Sequence, residues 1–204
     1  MKPRKRTRNL AETRRAILAA AFEEIHAHGF HASSVDAILD KTGLTKGALF
    51  HQFASKLELG AAVVDEVLAP MTLARWVEPL AAFEDPLEGI LHQMRANIGD
   101  APQAMLNLGC PVNNLIQEMA NSDRELQRRL RAVLEAWIEG IAAHVKRGQR
   151  SGHVRRSADA RQVAEWIVTS HEGVFSVVKA MRDKRALASV LTSIQTVFAG
   201  LRPR

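Results

Sequence analysis

The stretch TGLTKGALFHQF (residues 42–53) sets two glycines, Gly43 and Gly47, into a region otherwise built from helix formers. Glycine inside a helix costs about 1 kcal/mol relative to alanine. Beside the glycines stand Thr45, Lys46, Ala48 and His51. This mixture of hydroxyl, ammonium, methyl and imidazole suits a nucleic acid. Thr45 can donate to a phosphate, and Lys46 can reach a phosphate or a guanine edge. Ala48 can touch a thymine methyl, and His51, one turn past Gly47, can donate to a phosphate. Lys56 sets a further cation at the start of the next helix.

These groups need short, well-capped helices to hold them. Apolar periodicity predicts a helix over residues 10–28, stopped at Gly29. Ser34 is a good N-cap for a helix over 35–42, with Asp36 in its first turn. Gly43 supplies the left-handed geometry of a tight turn. Thr45 then caps a helix to about Gln52, and Ser55 caps another that reaches Pro70. Leu44, Leu49 and Phe53 fall at helical spacing on the inward face. Three helices with a glycine turn before the third form the helix-turn-helix layout, in which the third helix enters the major groove. A glycine at position 47, on the first turn of that helix, lets the backbone approach the duplex.

Further along, Pro70 and Pro79 are expected to kink or break the chain, and GDAP (residues 99–102) and GCP (residues 109–111) to break it. Helices are predicted over 87–98, 112–120, 123–150, 159–182 and 185–201, for nine or ten in all. Strand signals are nearly absent, so the fold class is all-α. The boundaries expected are a basic arm over 1–9, a helix-turn-helix domain over 10–58 and a larger helical domain over 59–204.

The chain has 204 residues and a formal net charge of +6. Residues 1–58 hold 10 Lys+Arg against 6 Asp+Glu, and the other 146 hold 18 against 16. The excess sits where the DNA contacts are expected. Cys110 is the sole cysteine, which fits a reducing compartment. With no signal-like run and no membrane-length apolar segment, a cytoplasmic protein is expected. No Walker loop, dinucleotide fingerprint, HExxH or GxSxG is present, so no enzyme and no cofactor are expected. His26, His28 and His31 are spaced by two and three residues and read as surface histidines, not metal ligands.

The stretch SSVDAILDKTGLTKGALFHQFASKLEL (residues 33–59) resembles the DNA-binding domain of the TetR family of bacterial transcriptional regulators. The family pattern is met by Ser34, Ile38, Thr42, Gly43, Leu44, Thr45, Gly47, Leu49, Phe50, Phe53, Ser55 and Lys56. That resemblance implies a double-stranded DNA operator touched by Ser34, Thr45, Lys46, Gly47, Ala48, Phe50, His51 and Lys56. It also implies a homodimer, a C-terminal pocket for a small-molecule inducer, and a regulator that is most often a repressor. Two residues depart from the pattern. Phe50 replaces a tyrosine whose hydroxyl reaches a phosphate, and Leu39 replaces a small alanine.

Beyond residue 59 the 159–182 helix carries two apolar stripes. One holds Val163, Ile167, His171, Val174 and Val178; the other holds Trp166, Gly173, Val177 and Ala180. With the last helix this suits a four-helix dimer interface. The segment GCPVNNL (residues 109–115) resembles a TetR subgroup with a Gly-Cys-x-x-x-Asn-Leu stretch, some of whose members respond to electrophiles or oxidants. That resemblance singles out Cys110 and Asn114. A helix N-terminus lowers a thiol pKa, and Lys179, among apolar neighbours, would add to this if close. An inert packed thiol is the other reading. Trp76 and Trp137, with Met94, Met105 and Met119, are either pocket walls or plain core. A DNA-binding protein without an inducer also remains open.

Overall fold

The computed structural model describes residues 4–99, 102–183 and 185–203, and its described residues contain helices and no strand. Met1–Pro3 of the expected arm lie outside them, as do the side chains of residues 4–9 and the middle of GDAP. Contacts divide the chain into two compact units, residues 1–70 with 114–131, and residues 71–113 with 132–204.

In the first unit α1 spans Arg4–His28, beginning six residues before the predicted start. Arg and Lys are good helix formers, so the basic segment extends the helix instead of forming a loose arm. It then packs against α2 (Val35–Thr42), α3 (Lys46–Gln52) and α4 (Lys56–Val63). Ile17, Ile38, Leu49 and Phe53 are almost fully buried and form the centre of this unit. Arg14 fastens the bundle. Its guanidinium lies 4.5 Å over the Phe53 ring and donates to both carboxylate oxygens of Glu66, at 3.1 and 2.5 Å.

At Pro70 the helix is deformed and runs on. A π turn over Val64–Leu68 precedes it, and the Ala69 N–H bonds to Val64 O, five residues back. Widening the helix here accommodates the proline ring and its missing donor. The helix resumes as α5 (Ala69–Trp76).

The second unit continues through a 3-10 turn at Glu78–Ala82, which contains Pro79, and then α6 (Pro86–Met94), capped by Asp85. A second π turn, Arg95–Gly99, follows. The helix α7 (Gln103–Leu108) was not foreseen, because two glycine–proline breakers flank its six residues. Then come α8 (Pro111–Met119) and α9 (Arg124–Ser151), whose residues 114–119 and 124–131 belong to the first unit, and α10 (Ala160–Met181) and α11 (Arg185–Gly200). The core of this unit centres on Leu87, Met94, Trp137, Ile141, Val178 and Ile194.

Back in the first unit, α8 supplies Glu118. Its carboxylate accepts the N–H groups of Phe30 and His31, each at 2.6 Å. These donors belong to the turn after α1, whose helix ladder cannot satisfy them.

Candidate functional site

The α2–α3 segment is locked by its caps. Ser34 Oγ accepts from Ala37 N at 3.0 Å, and Thr45 Oγ1 accepts from Ala48 N at 3.2 Å. Gly43 sits at φ +65°, and its N–H donates to Leu39 O at 2.8 Å. A side chain there would be strained by the backbone alone. Gly47 is different. It has ordinary helical geometry, and a Cβ built on it would meet nothing nearer than Thr45 Oγ1 at 3.8 Å. No close contact inside the chain requires a glycine here.

The helix splits cleanly into two faces. Leu49 and Phe53 are buried, while Thr45, Lys46, Gly47, Phe50 and His51 are exposed, as is Ser34; Ala48 is half-buried. Phe50 is 48% exposed, an aromatic ring left in water on the same face as the cation. Lys46 Nζ pairs with Asp36 Oδ1 at 2.8 Å, but both side chains are exposed and such a pair is readily exchanged for a phosphate. Lys56 behaves differently from the expectation. Its ammonium donates to Ser33 O at 2.5 Å and His31 O at 3.2 Å, and lies 4.9 Å over the Phe30 ring. It holds the α1–α2 loop together.

The second unit gathers several of the residues singled out in the C-terminal half. Trp76 and Trp137 stack at 5.9 Å, and both meet the His171 ring edge-on, at 4.2 and 4.8 Å. Phe175 closes on His171 at 4.7 Å. A gap of about 10 Å³ remains between Trp76, Ile90, Gln93, Met94, Trp137, Ile141, Ile167 and His171. Met105 is 49% exposed and Met119 is buried in the other unit, so neither lines it. His171 was read only as part of a stripe. A histidine one turn from Ile167 on the inward face of a helix is itself the signal, since buried polar groups are rare.

Cys110 does lie just before α8, but its thiol is not activated. It is buried and donates to Glu172 Oε1 at 3.2 Å. Burial pushes its pKa well above the ordinary value, and the Glu172 charge adds to this. The N–H groups of Asn113 and Val112 pull the other way and lose. Lys179 is exposed, and the group set beside the thiol is an acid. Asn114 is half-buried in the first unit; its neighbour Asn113 donates to Ser176 Oγ at 2.9 Å.

A family model described as "Bacterial regulatory proteins, tetR family" matches residues 17–63, and one described as "Tetracyclin repressor-like, C-terminal domain" matches residues 86–194. The chain belongs to the TetR family. Its likeness to the HTH-type transcriptional regulator RutR of Escherichia coli (strain K12) is 28% identity, covering 98% of this chain and 95% of RutR. To the HTH-type transcriptional repressor DhaR of Mycobacterium sp. (strain GP1) it is 24%, covering 86% and 85%. A solved TetR transcriptional regulator from Chloroflexus aurantiacus J-10-FL superposes with a TM-score of 0.82 at 27% identity, covering 94% and 96%. TetR-family proteins are DNA-binding transcriptional regulators, not enzymes, and the helix-turn-helix of this one is α2–Gly43–α3. Among the described residues no helix is long and apolar enough to cross a membrane.

The two stripes of α10 part company in this TetR-family chain. Ile167, His171, Val174 and Val178 are buried within the chain, whereas Val177 is 44% exposed and Met181 64%. On α11 Val197 is 41% exposed. Trp166 and Val163 line an open groove of about 340 Å³ with Val197 and Leu201.

Proposed function

We propose that this TetR-family regulator is a repressor that binds its operator as a homodimer and leaves it when a small molecule enters the C-terminal domain. Residues 10–58 form the DNA-binding part in this reading, and residues 59–204 the ligand-binding and dimerisation part. The observation that carries it is the α3 surface. Thr45, Lys46, Phe50 and His51 face solvent around a glycine that internal packing does not require. Ser34 and Ala48 border this surface.

The uncovered stripe of α10 and the apolar residues of α11 support the dimer. Two α3 helices then stand about 34 Å apart, which calls for a pseudo-palindromic site. The release mechanism is non-covalent, because Glu172 and burial keep Cys110 as a thiol and only the thiolate is a good nucleophile. An inducer shifts the population toward a form with the wrong spacing by binding that form more tightly.

Gel retardation on the promoter fragments of the chain's own and adjacent genes tests the reading. A salt-sensitive shift that a compound from a mixed panel reverses is expected. A shift that no compound reverses leaves an inducer-independent DNA-binding protein, and no shift at all contradicts DNA binding on these fragments.

A further inference from the structure

Trp137 and His171 both line the gap in the second unit, and each has a buried ring nitrogen without a hydrogen-bond partner, Trp137 Nε1 and His171 Nε2. Trp137 is 1% exposed and His171 2%, so water outside cannot reach them. Buried polar groups are nearly always paired, and an orphan in a folded protein asks for a missing partner. We infer that this gap is the recognition point for a small uncharged aromatic alcohol, whose hydroxyl accepts from Trp137 and donates to His171. The inference rests on the reading that a small molecule enters this domain non-covalently.

The hydrogen-bond pattern sets the polar group. Glu172 Oε1 lies 3.3 Å from His171 Nδ1 and also accepts the Cys110 thiol hydrogen at 3.2 Å. A carboxylate oxygen accepts, so the hydrogen of a neutral imidazole belongs on Nδ1, and in that tautomer Nε2 keeps a lone pair. The indole N–H can only donate. One donor and one acceptor beside a single gap fit a hydroxyl, which serves both. The same carboxylate argues against an anionic ligand, which would stand near a like charge in an apolar surround. Ile90, Met94, Ile141 and Ile167 with the two indole rings call for a flat apolar body. The gap as it stands has room for about one water molecule. The ligand is therefore compact, and Trp76 and Gln93, the half-buried members of the lining, move to admit it.

Titration of the full chain with phenol, benzoate and toluene at neutral pH, read by calorimetry and tryptophan fluorescence, tests this. Phenol should bind saturably at one site per chain, about tenfold or more tighter than either of the others. Trp137→Phe keeps the ring and removes the donor; His171→Leu keeps the site apolar and removes the acceptor. Each should weaken phenol about tenfold and leave toluene unchanged. Should one variant fold poorly, as judged by its melt, the other still decides. Tighter binding of benzoate, no saturable phenol binding, or phenol binding indifferent to both substitutions overturns the inference. The inducer reading stands apart from this. A panel compound that releases DNA equally from wild type and Trp137→Phe would keep the inducer and sink the site, whereas phenol binding that never affects DNA would keep the site and sink phenol as inducer.

Discussion

Around α3 the polar groups stand in water. Lys46 and Asp36 pair in the open, Thr45 and His51 face outward, and the missing side chain of Gly47 leaves bare backbone. Around His171 the reverse holds, because Trp137 Nε1 and His171 Nε2 are enclosed by apolar walls and bond to nothing. The α3 surface loses little by waiting for a partner, since water satisfies it meanwhile. Unpaired buried groups carry a cost, which the proposed hydroxyl would relieve. Substitutions should therefore separate the two, changing binding alone in one region and stability as well in the other.

The largest contrast is expected between Trp137→Ala and Gly47→Glu. Truncating the buried indole should destabilise the fold by about 3–5 kcal/mol, read as a lower denaturant midpoint. Gly47→Glu has open space for its side chain and should leave the midpoint nearly unchanged. It should nevertheless weaken operator binding about a hundredfold, by setting a carboxylate against the DNA backbone. A loss of DNA binding that tracks a loss of stability in Gly47→Glu would break the distinction.

Next in size is Glu118→Ala. It removes the acceptor of the Phe30 and His31 N–H groups and should cost about 2 kcal/mol in chemical denaturation. Gly47→Ala sharpens the comparison further. It should raise stability by about 0.5–1 kcal/mol through helix propensity while weakening DNA binding. The two signs must be opposite if the glycine serves the partner.

The smallest effect concerns Arg14 and Glu66. The Arg14 hydrogen bond holds the Glu66 carboxyl below its ordinary value of 4.5. A depressed carboxyl stabilises the fold above the ordinary value, and that contribution is lost as pH falls through the folded value. Both side chains are about a third or more exposed, so the contribution is under about 1 kcal/mol. Glu66→Gln should narrow the difference between melts taken near neutral pH and in the acid range, without abolishing it.

Local chemistry made the α2–α3 segment legible in the sequence. Ser34, Thr45 and Ser55 each cap a helix within three residues of their own position, and Gly43 marks a left-handed turn by its type alone. Lys56 was misread because its acceptors lie more than twenty residues earlier, on a loop whose path no pattern specifies. Cys110 stayed open between a sensing and an inert thiol for the same reason on a larger scale. The helix terminus beside it was visible, but Glu172, 62 residues away, was not, and burial outweighs the terminus. Trp76 and Trp137 were singled out, yet only the folded chain sets His171 between them. Pro70 marked a kink or a break by its type, but which of the two was not legible, because a π turn has no sequence signature of its own.

The most direct test of DNA recognition through α3 is operator binding by fluorescence anisotropy across a series of salt concentrations, for wild type and Lys46→Ala. The account predicts that wild-type affinity falls steeply and linearly on a log–log plot. Removing Lys46 should weaken binding at low salt and make the slope about one unit shallower. Identical slopes and affinities for the two proteins would contradict it.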